Sequence, residues 1–91
     1  MIRIEFEAEN NRAAAYDEGR EIGFCTFSTA EDLWIITHTV VDKSCGGQGI
    51  AARLVAEVVS QARSSGRKIR PLCSYAVREF ERKPEYRDVL A

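Results

Sequence analysis

Apolar and polar residues alternate along the first part of the chain. Between Ile2 and Ala8 the apolar side chains fall on one face and the charged ones on the other, a pattern typical of a strand with one face on a core. A returning second strand is predicted at 12–16, and two runs rich in aromatic and β-branched residues follow at 22–28 and 33–41, after short polar turns. Together the four runs predict an antiparallel meander of four strands.

After a cluster of glycines the apolar spacing changes to that of a helix. Apolar residues recur at every third or fourth position across 48–64, and Gly66 is suited to end this helix in a left-handed conformation. A short fifth strand is predicted at 68–72, then a second helix that starts at Ser74 as its N-cap and stops before Pro84. The predicted fold class is α+β: a four-stranded antiparallel meander, a crossover helix, a fifth strand parallel to the fourth, and a short C-terminal helix.

Size and charge narrow the classes of function. Ninety-one residues predict one domain over 1–91, and the net charge of −1 gives no reason to expect nucleic-acid or membrane binding. Residues 63–91 carry eight basic and four acidic side chains, which would suit an anionic ligand or only a solvated surface. The three cysteines show neither C-x-x-C spacing nor a histidine cluster, and no apolar run has membrane-spanning length, so we expect a reduced, cytoplasmic protein without a metal site.

The turn Gly46-Gly47-Gln48-Gly49 is the most informative segment, because it opens directly into the long helix. Glycines allow close approach of the backbone to a ligand, and the free N–H groups and dipole at a helix start favour an anion. The segment predicts a pyrophosphate site, with a purely structural turn as the alternative. It also matches a dinucleotide fingerprint at Gly47, Gly49 and Ala52, but that fingerprint normally follows the first strand of its fold, so a nicotinamide nucleotide is the weaker interpretation.

The same turn resembles the [RQ]-x-x-G-x-[GA] motif of the GCN5-related N-acetyltransferases. Gly49 and Ala51 match the motif, whereas Gly46 stands where the family has arginine or glutamine. In that family the motif lies between the fourth strand and the long helix, and its backbone amides hold the pyrophosphate of acetyl-coenzyme A. A small stand-alone subfamily is similar to this chain over about 22–90, in its strand ending at His38-Thr39 and in its segments resembling 71–75 and 84–86.

The resemblance implies an acetyl-coenzyme A-dependent N-acetyltransferase with an unknown amine acceptor, its fifth strand diverging from the fourth to admit the cofactor. A non-catalytic module that binds or senses acyl-coenzyme A is the alternative. The short Asn10-Asn11 turn leaves no room for the acceptor-site helices of larger members, so the acceptor side should be open, as a bulky or protein-borne amine requires. The cofactor-binding residues implied are Val40, Val41, Gly46, Gly47, Gln48, Gly49, Ile50, Ala51, Ala52 and Cys73.

Two side chains are candidates for the chemistry of transfer. His38 is the only histidine, a residue type that titrates near neutral pH, and it would act as a base if it points into the cleft; a structural histidine is the alternative. Cys73 precedes the second helix, whose N-terminus favours a thiolate, and would take the acetyl group and pass it on, or else be a small buried residue. Val40 replaces the glutamate common in the subfamily, so a standard base is missing.

The sequence also gives expectations for four other residues. Cys25 is predicted to lie in the core, Cys45 to be exposed in its loop, and Tyr75 and Tyr86 to be less favoured donors of a proton to the departing thiolate.

Overall fold

The computed structural model describes residues 1–91 and contains one five-stranded sheet. The strands are β1 (Ile2–Glu7), β2 (Arg12–Asp17), β3 (Arg20–Ala30), β4 (Leu33–Val41) and β5 (Lys68–Pro71). The helices are α1 (Ile50–Ser64) and α2 (Ser74–Arg82), with 3₁₀ helices at Ala8–Asn10, Lys43–Cys45 and Pro84–Val89. Strands β1 to β4 pair antiparallel in chain order, and β5 pairs parallel to β4. The predicted fold class is confirmed.

Residues with positive φ make the tight connections of the meander. Asn11 has φ 52° between β1 and β2, Glu18 and Gly19 have φ 53° and 81° between β2 and β3, and Glu31 has φ 57° before β4. In the β2–β3 turn, positive φ at both central residues, Glu18 and Gly19, gives a twist that matches the flanking strands. The connections between neighbouring strands are therefore short. Between β1 and β2 the chain forms only one 3₁₀ turn.

Helix α1 covers one face of the sheet and supplies much of the core. Leu54, Val55 and Val58 on that helix are fully buried, as are Ile36 and Ile69 from β4 and β5. Burying a side chain of this kind contributes about 1.5–3 kcal/mol before the entropy of ordering the chain is subtracted. The helix therefore packs across all five strands of the sheet.

Two helix boundaries depend on particular residues. The chain leaves α1 through Gly66 with φ +70°, as predicted, and the N–H of the next residue returns to Ala62 O. The N-cap of α2 is Cys73, whose sulfur accepts the Ala76 N–H, so the prediction of Ser74 as the cap is wrong by one residue. The cap is displaced because β5 already ends at Pro71 and the chain turns into the helix directly.

Candidate functional site

The glycine turn departs from ordinary backbone at two positions. Gly47 has φ +82° and Gly49, the N-cap of α1, has φ +71°. Side-chain-bearing residues disfavour these values, and a Cβ built at either position would meet no atom within 4 Å. The main chain is therefore open to a ligand on this side.

The N–H groups of residues 47–52 donate no hydrogen bond within the protein, because the first helical bond runs from Arg53 N to Gly49 O. Unpaired amides at a helix start carry partial positive charge. They lie beside a cavity of about 230 Å³ that contains no charged residue in its lining. The lining residues are Val41, Cys45, Gly46, Gly47, Gly49, Ile50, Ala51 and Tyr75.

Strands β4 and β5 part next to this turn. Pairing ends with Ile36 opposite Pro71, and the N–H groups of Leu72 and Cys73 both donate to Ile36 O, at 3.0 and 3.3 Å. Strand β4 bulges at the next residue and continues to Val41 with β3 as its only neighbour. Residues 37–41 thus present an unpaired strand edge between the start of α2 and the glycine turn.

Cys73 lies at the inner end of this opening. Its Sγ is 3.4 Å from Thr39 Oγ1 and 3.4 Å from the Ala76 amide nitrogen, which donates to it. The same Thr39 hydroxyl lies 3.5 Å from the sulfur of Cys25. Cys25 is fully buried, as predicted, and this burial raises the pKa of its thiol to about 11. Cys73 itself is half-buried, so reagents from solvent can reach it.

His38 and Val40 lie on the other face of the sheet. Thr39 points toward the core and Cys73, and because neighbouring side chains of a strand alternate, the two residues beside it point away. His38 is exposed and its imidazole makes no hydrogen bond, and Val40 is 47% exposed. The structure therefore brings neither side chain into contact with Cys73.

The turn gathers most of the residues implied as cofactor-binding. Val41, Gly46, Gly47, Gly49, Ile50 and Ala51 line one cavity, whereas Gln48 and Ala52 belong to the same turn outside that lining. The cavity has a further wall in Tyr75, at the first turn of α2; burial raises the pKa of its phenol above the ordinary value of 10.0. Cys45 is buried rather than exposed, because the Lys43–Cys45 turn folds it inward against the core.

Asp42 is the residue that sequence reasoning missed. Its carboxylate accepts the N–H and the hydroxyl of Ser44 at 2.9 and 2.8 Å and also accepts a hydrogen bond from Arg20. These contacts fix the short turn that leads into the glycines. The D-x-S spacing, typical of a local aspartate cap, was the available signal.

The comparisons with known proteins identify the family. A family model described as GCN5-related N-acetyl-transferase matches residues 5–89, and the chain belongs to that family. No curated protein matches the sequence significantly.

Solved structures agree with this assignment. A GCN5-like protein from Staphylococcus aureus, determined by NMR, has a TM-score of 0.77 and 30% identity, over 98% of this chain and 87% of that one. A GNAT-family N-acetyltransferase from Escherichia coli in complex with coenzyme A has a TM-score of 0.64 and 19% identity, over 79% of this chain and 61% of that one.

The N-acetylglutamate synthase of Neisseria gonorrhoeae, complexed with coenzyme A and N-acetyl-glutamate, has a TM-score of 0.68 and 17% identity, over 96% of this chain. This chain covers only 26% of that protein. The last two likenesses establish the fold alone. No helix of the structure combines the length and the apolar character needed to cross a bilayer.

Proposed function

We propose that this chain is an acetyl-coenzyme A-dependent N-acetyltransferase that holds the pyrophosphate of its cofactor on the backbone of residues 46–52. The observation that carries the proposal is the row of N–H groups at 47–52 that have no acceptor in the protein. They line a turn whose two positive-φ glycines leave room for a close ligand. Family membership and the coenzyme A complexes of proteins with the same fold support this assignment.

The unpaired edge of β4 supplies the route for the rest of the cofactor. It runs from Val41, which lines the cavity at the glycine turn, to Thr39, which contacts Cys73. Backbone amide and carbonyl groups along such an edge pair with an extended chain in the manner of an added strand. A pantetheine arm along this edge would bring its thioester toward the half-buried sulfur of Cys73.

Two chemical routes are open, direct transfer and transfer through Cys73. In the second route the Cys73 thiolate attacks the thioester carbonyl carbon, the bond from that carbon to the coenzyme sulfur breaks, and the coenzyme departs as a thiolate. The acceptor amine then attacks the acetyl carbon, the bond to Cys73 Sγ breaks, and the amine loses a proton to solvent. Neither His38 nor a carboxylate contacts Cys73, which favours an acceptor that is already neutral.

Two observations support an open acceptor side. Only the 3₁₀ turn Ala8–Asn10 joins β1 to β2, and the sheet face bearing His38 and Val40 is exposed there. An open face accommodates a bulky amine, including one carried by a protein.

Labelled acetyl-coenzyme A, mixed with a panel of peptide and small-molecule amines, tests the function. We expect acetylated amine, and acetyl on the Cys73 peptide by mass spectrometry when the amine is omitted. The matched variant is Cys73→Ser, which keeps an oxygen to cap Ala76 N but lacks the thiol. Loss of transfer in this variant supports the Cys73 route, and full activity supports direct transfer. Absence of both acetylated amine and acetylated Cys73 in the wild type would contradict the enzyme.

A non-catalytic acyl-coenzyme A module is the second candidate, favoured by Val40 in place of a carboxylate. It predicts saturable binding of coenzyme A without turnover, unchanged in Cys73→Ser and His38→Ala. Calorimetric titration of these variants, run beside the transfer assay, separates the two functions. Binding that persists while a variant abolishes transfer would eliminate the module.

A further inference from the structure

Thr39 is placed between two sulfur atoms that are far apart in sequence. Its Oγ1 is 3.5 Å from Cys25 Sγ on the neighbouring strand β3 and 3.4 Å from Cys73 Sγ at the start of α2. The Cys73 sulfur also accepts the Ala76 N–H at 3.4 Å. These three contacts fix the position of the Cys73 thiol relative to the open edge of β4.

A hydroxyl group has one proton and two lone pairs, so Thr39 can donate to only one of the two sulfurs at a time. Burial keeps the Cys25 thiol protonated at neutral pH, since its pKa is raised to about 11. When Thr39 donates to Cys25, the remaining lone pairs of the oxygen accept the Cys73 S–H. When Cys73 loses its proton, the Thr39 O–H can turn toward the charged sulfur, where a hydrogen bond is stronger than to a neutral one.

We propose that Thr39 is a positioning residue that orients the Cys73 thiol and donates the second hydrogen bond, beside Ala76 N–H, to its thiolate. In this step the S–H bond of Cys73 breaks, its electron pair stays on sulfur, and the proton passes to solvent. The relevance to catalysis rests on the proposed function, because a stabilised thiolate matters for transfer only if Cys73 meets a thioester.

Other titratable groups lie near Thr39 and Cys73. Cys25 contacts Thr39 from β3, and Tyr75 follows Cys73 by two positions, in the first turn of α2. Toward the end of α2, Glu79 binds Arg82 and lies 3.3 Å from Lys83 Nζ. No charged side chain forms a hydrogen bond with Cys73, which leaves the Thr39 hydroxyl as the side-chain donor.

The test is the pH profile of Cys73 alkylation by iodoacetamide, followed on its own peptide by mass spectrometry. In Thr39→Val, which keeps the side-chain shape but lacks the hydroxyl, we expect the midpoint to rise by about one pH unit and the rate at pH 7 to fall about tenfold. Thr39→Ser retains a hydroxyl and should stay close to wild type. Circular dichroism verifies that each variant is folded.

A second variant gives a change of opposite sign. Cys25→Ala removes the competing acceptor, so the Thr39 proton is free for Cys73 and the midpoint should fall below that of wild type. A purely structural role for Thr39 would alter stability without moving the midpoint in either variant. Identical midpoints in wild type, Thr39→Val and Cys25→Ala would overturn the proposal.

Alkylation needs no cofactor, so the result is independent of the proposed function. Shifted profiles in a protein that transfers no acetyl group would support the role of Thr39 and count against the enzyme. Unshifted profiles in an active enzyme would overturn the role of Thr39 and leave the enzyme standing.

Discussion

Asp42 and Ser44 are joined by two hydrogen bonds to one carboxylate oxygen, from the Ser44 N–H at 2.9 Å and its hydroxyl at 2.8 Å. Backbone and side chain of Ser44, in that order, hold the pKa of Asp42 below its ordinary value of 3.8. A lowered carboxyl pKa means that these contacts persist above about pH 4 and are lost as the pH falls through the lowered value. The turn before the glycines is therefore fixed throughout the neutral range.

Asp42→Ala should weaken coenzyme A binding roughly three- to tenfold at pH 7, because the turn leading into the amides loses its cap. Calorimetric titration measures the change. Asp32→Ala is the control, since that side chain is 95% exposed and pairs only with Arg67. Equal affinities for the two variants would show that the Asp42 cap has no part in binding.

Gly47→Ala and Gly19→Ala form a matched pair for the glycine turn. The two glycines have φ of +82° and +81°, and an added Cβ would meet nothing within 4 Å at either. Each substitution should cost about 1–2 kcal/mol of folding free energy by backbone strain alone. Coenzyme A affinity should fall at least about tenfold in Gly47→Ala and stay unchanged in Gly19→Ala. Similar binding by both variants, measured beside urea unfolding, would contradict the backbone site.

The sequence pattern was sufficient to predict the elements that can be recognised from the periodicity of their own residues. Alternation from Ile2 onward and the helical spacing before Gly66 each depend on which face of one element meets a core, so β1 and α1 could be predicted. The 3₁₀ helix Pro84–Val89 could not, because it depends on tertiary contacts: Tyr86 and Val89 are buried in the core, and Arg63 of α1 binds both carboxylate oxygens of Asp88, at 2.7 and 2.8 Å.

The candidate site likewise has one part that could be predicted from a local pattern and another that depends on long-range contacts. The glycine turn is a local sequence signal and could be predicted, whereas its pyrophosphate ligand stays a prediction. The contact of Thr39 with Cys73 joins residues 34 positions apart and exists only because β5 ends at Pro71 while β4 continues. Cys45 was misplaced for a related reason, since its burial depends on how the preceding turn packs.

Leu54→Ala tests the core under α1. Leu54 is fully buried, so its truncation removes apolar contacts and leaves a cavity that the sheet fills only in part. We expect a loss of about 2–5 kcal/mol in the free energy of unfolding by urea. Leu72→Ala provides the control, because Leu72 is 61% exposed and should change stability by less than about 0.5 kcal/mol. Comparable losses in both variants would contradict this description of the core.

Stability at alkaline pH should report the burial of Cys25. Its thiol has a pKa raised by burial from 9.0 to about 11, so the folded state holds its proton more tightly than the unfolded state. The contribution is complete below pH 9 and declines as the pH rises through about 11, with a total loss of about 2–3 kcal/mol at 1.4 kcal/mol per unit.

The half-buried Tyr75 and the buried Tyr86 also have raised pKa values and add a decline of the same sign above pH 10. The measurement is therefore the difference between wild type and Cys25→Ala in urea unfolding, recorded from pH 7 to 11. The variant is less stable at pH 7 because it loses packing, and its deficit should narrow as the pH passes 9. A constant deficit across this range would show that the Cys25 thiol has the same pKa in the folded and unfolded states, contrary to its burial.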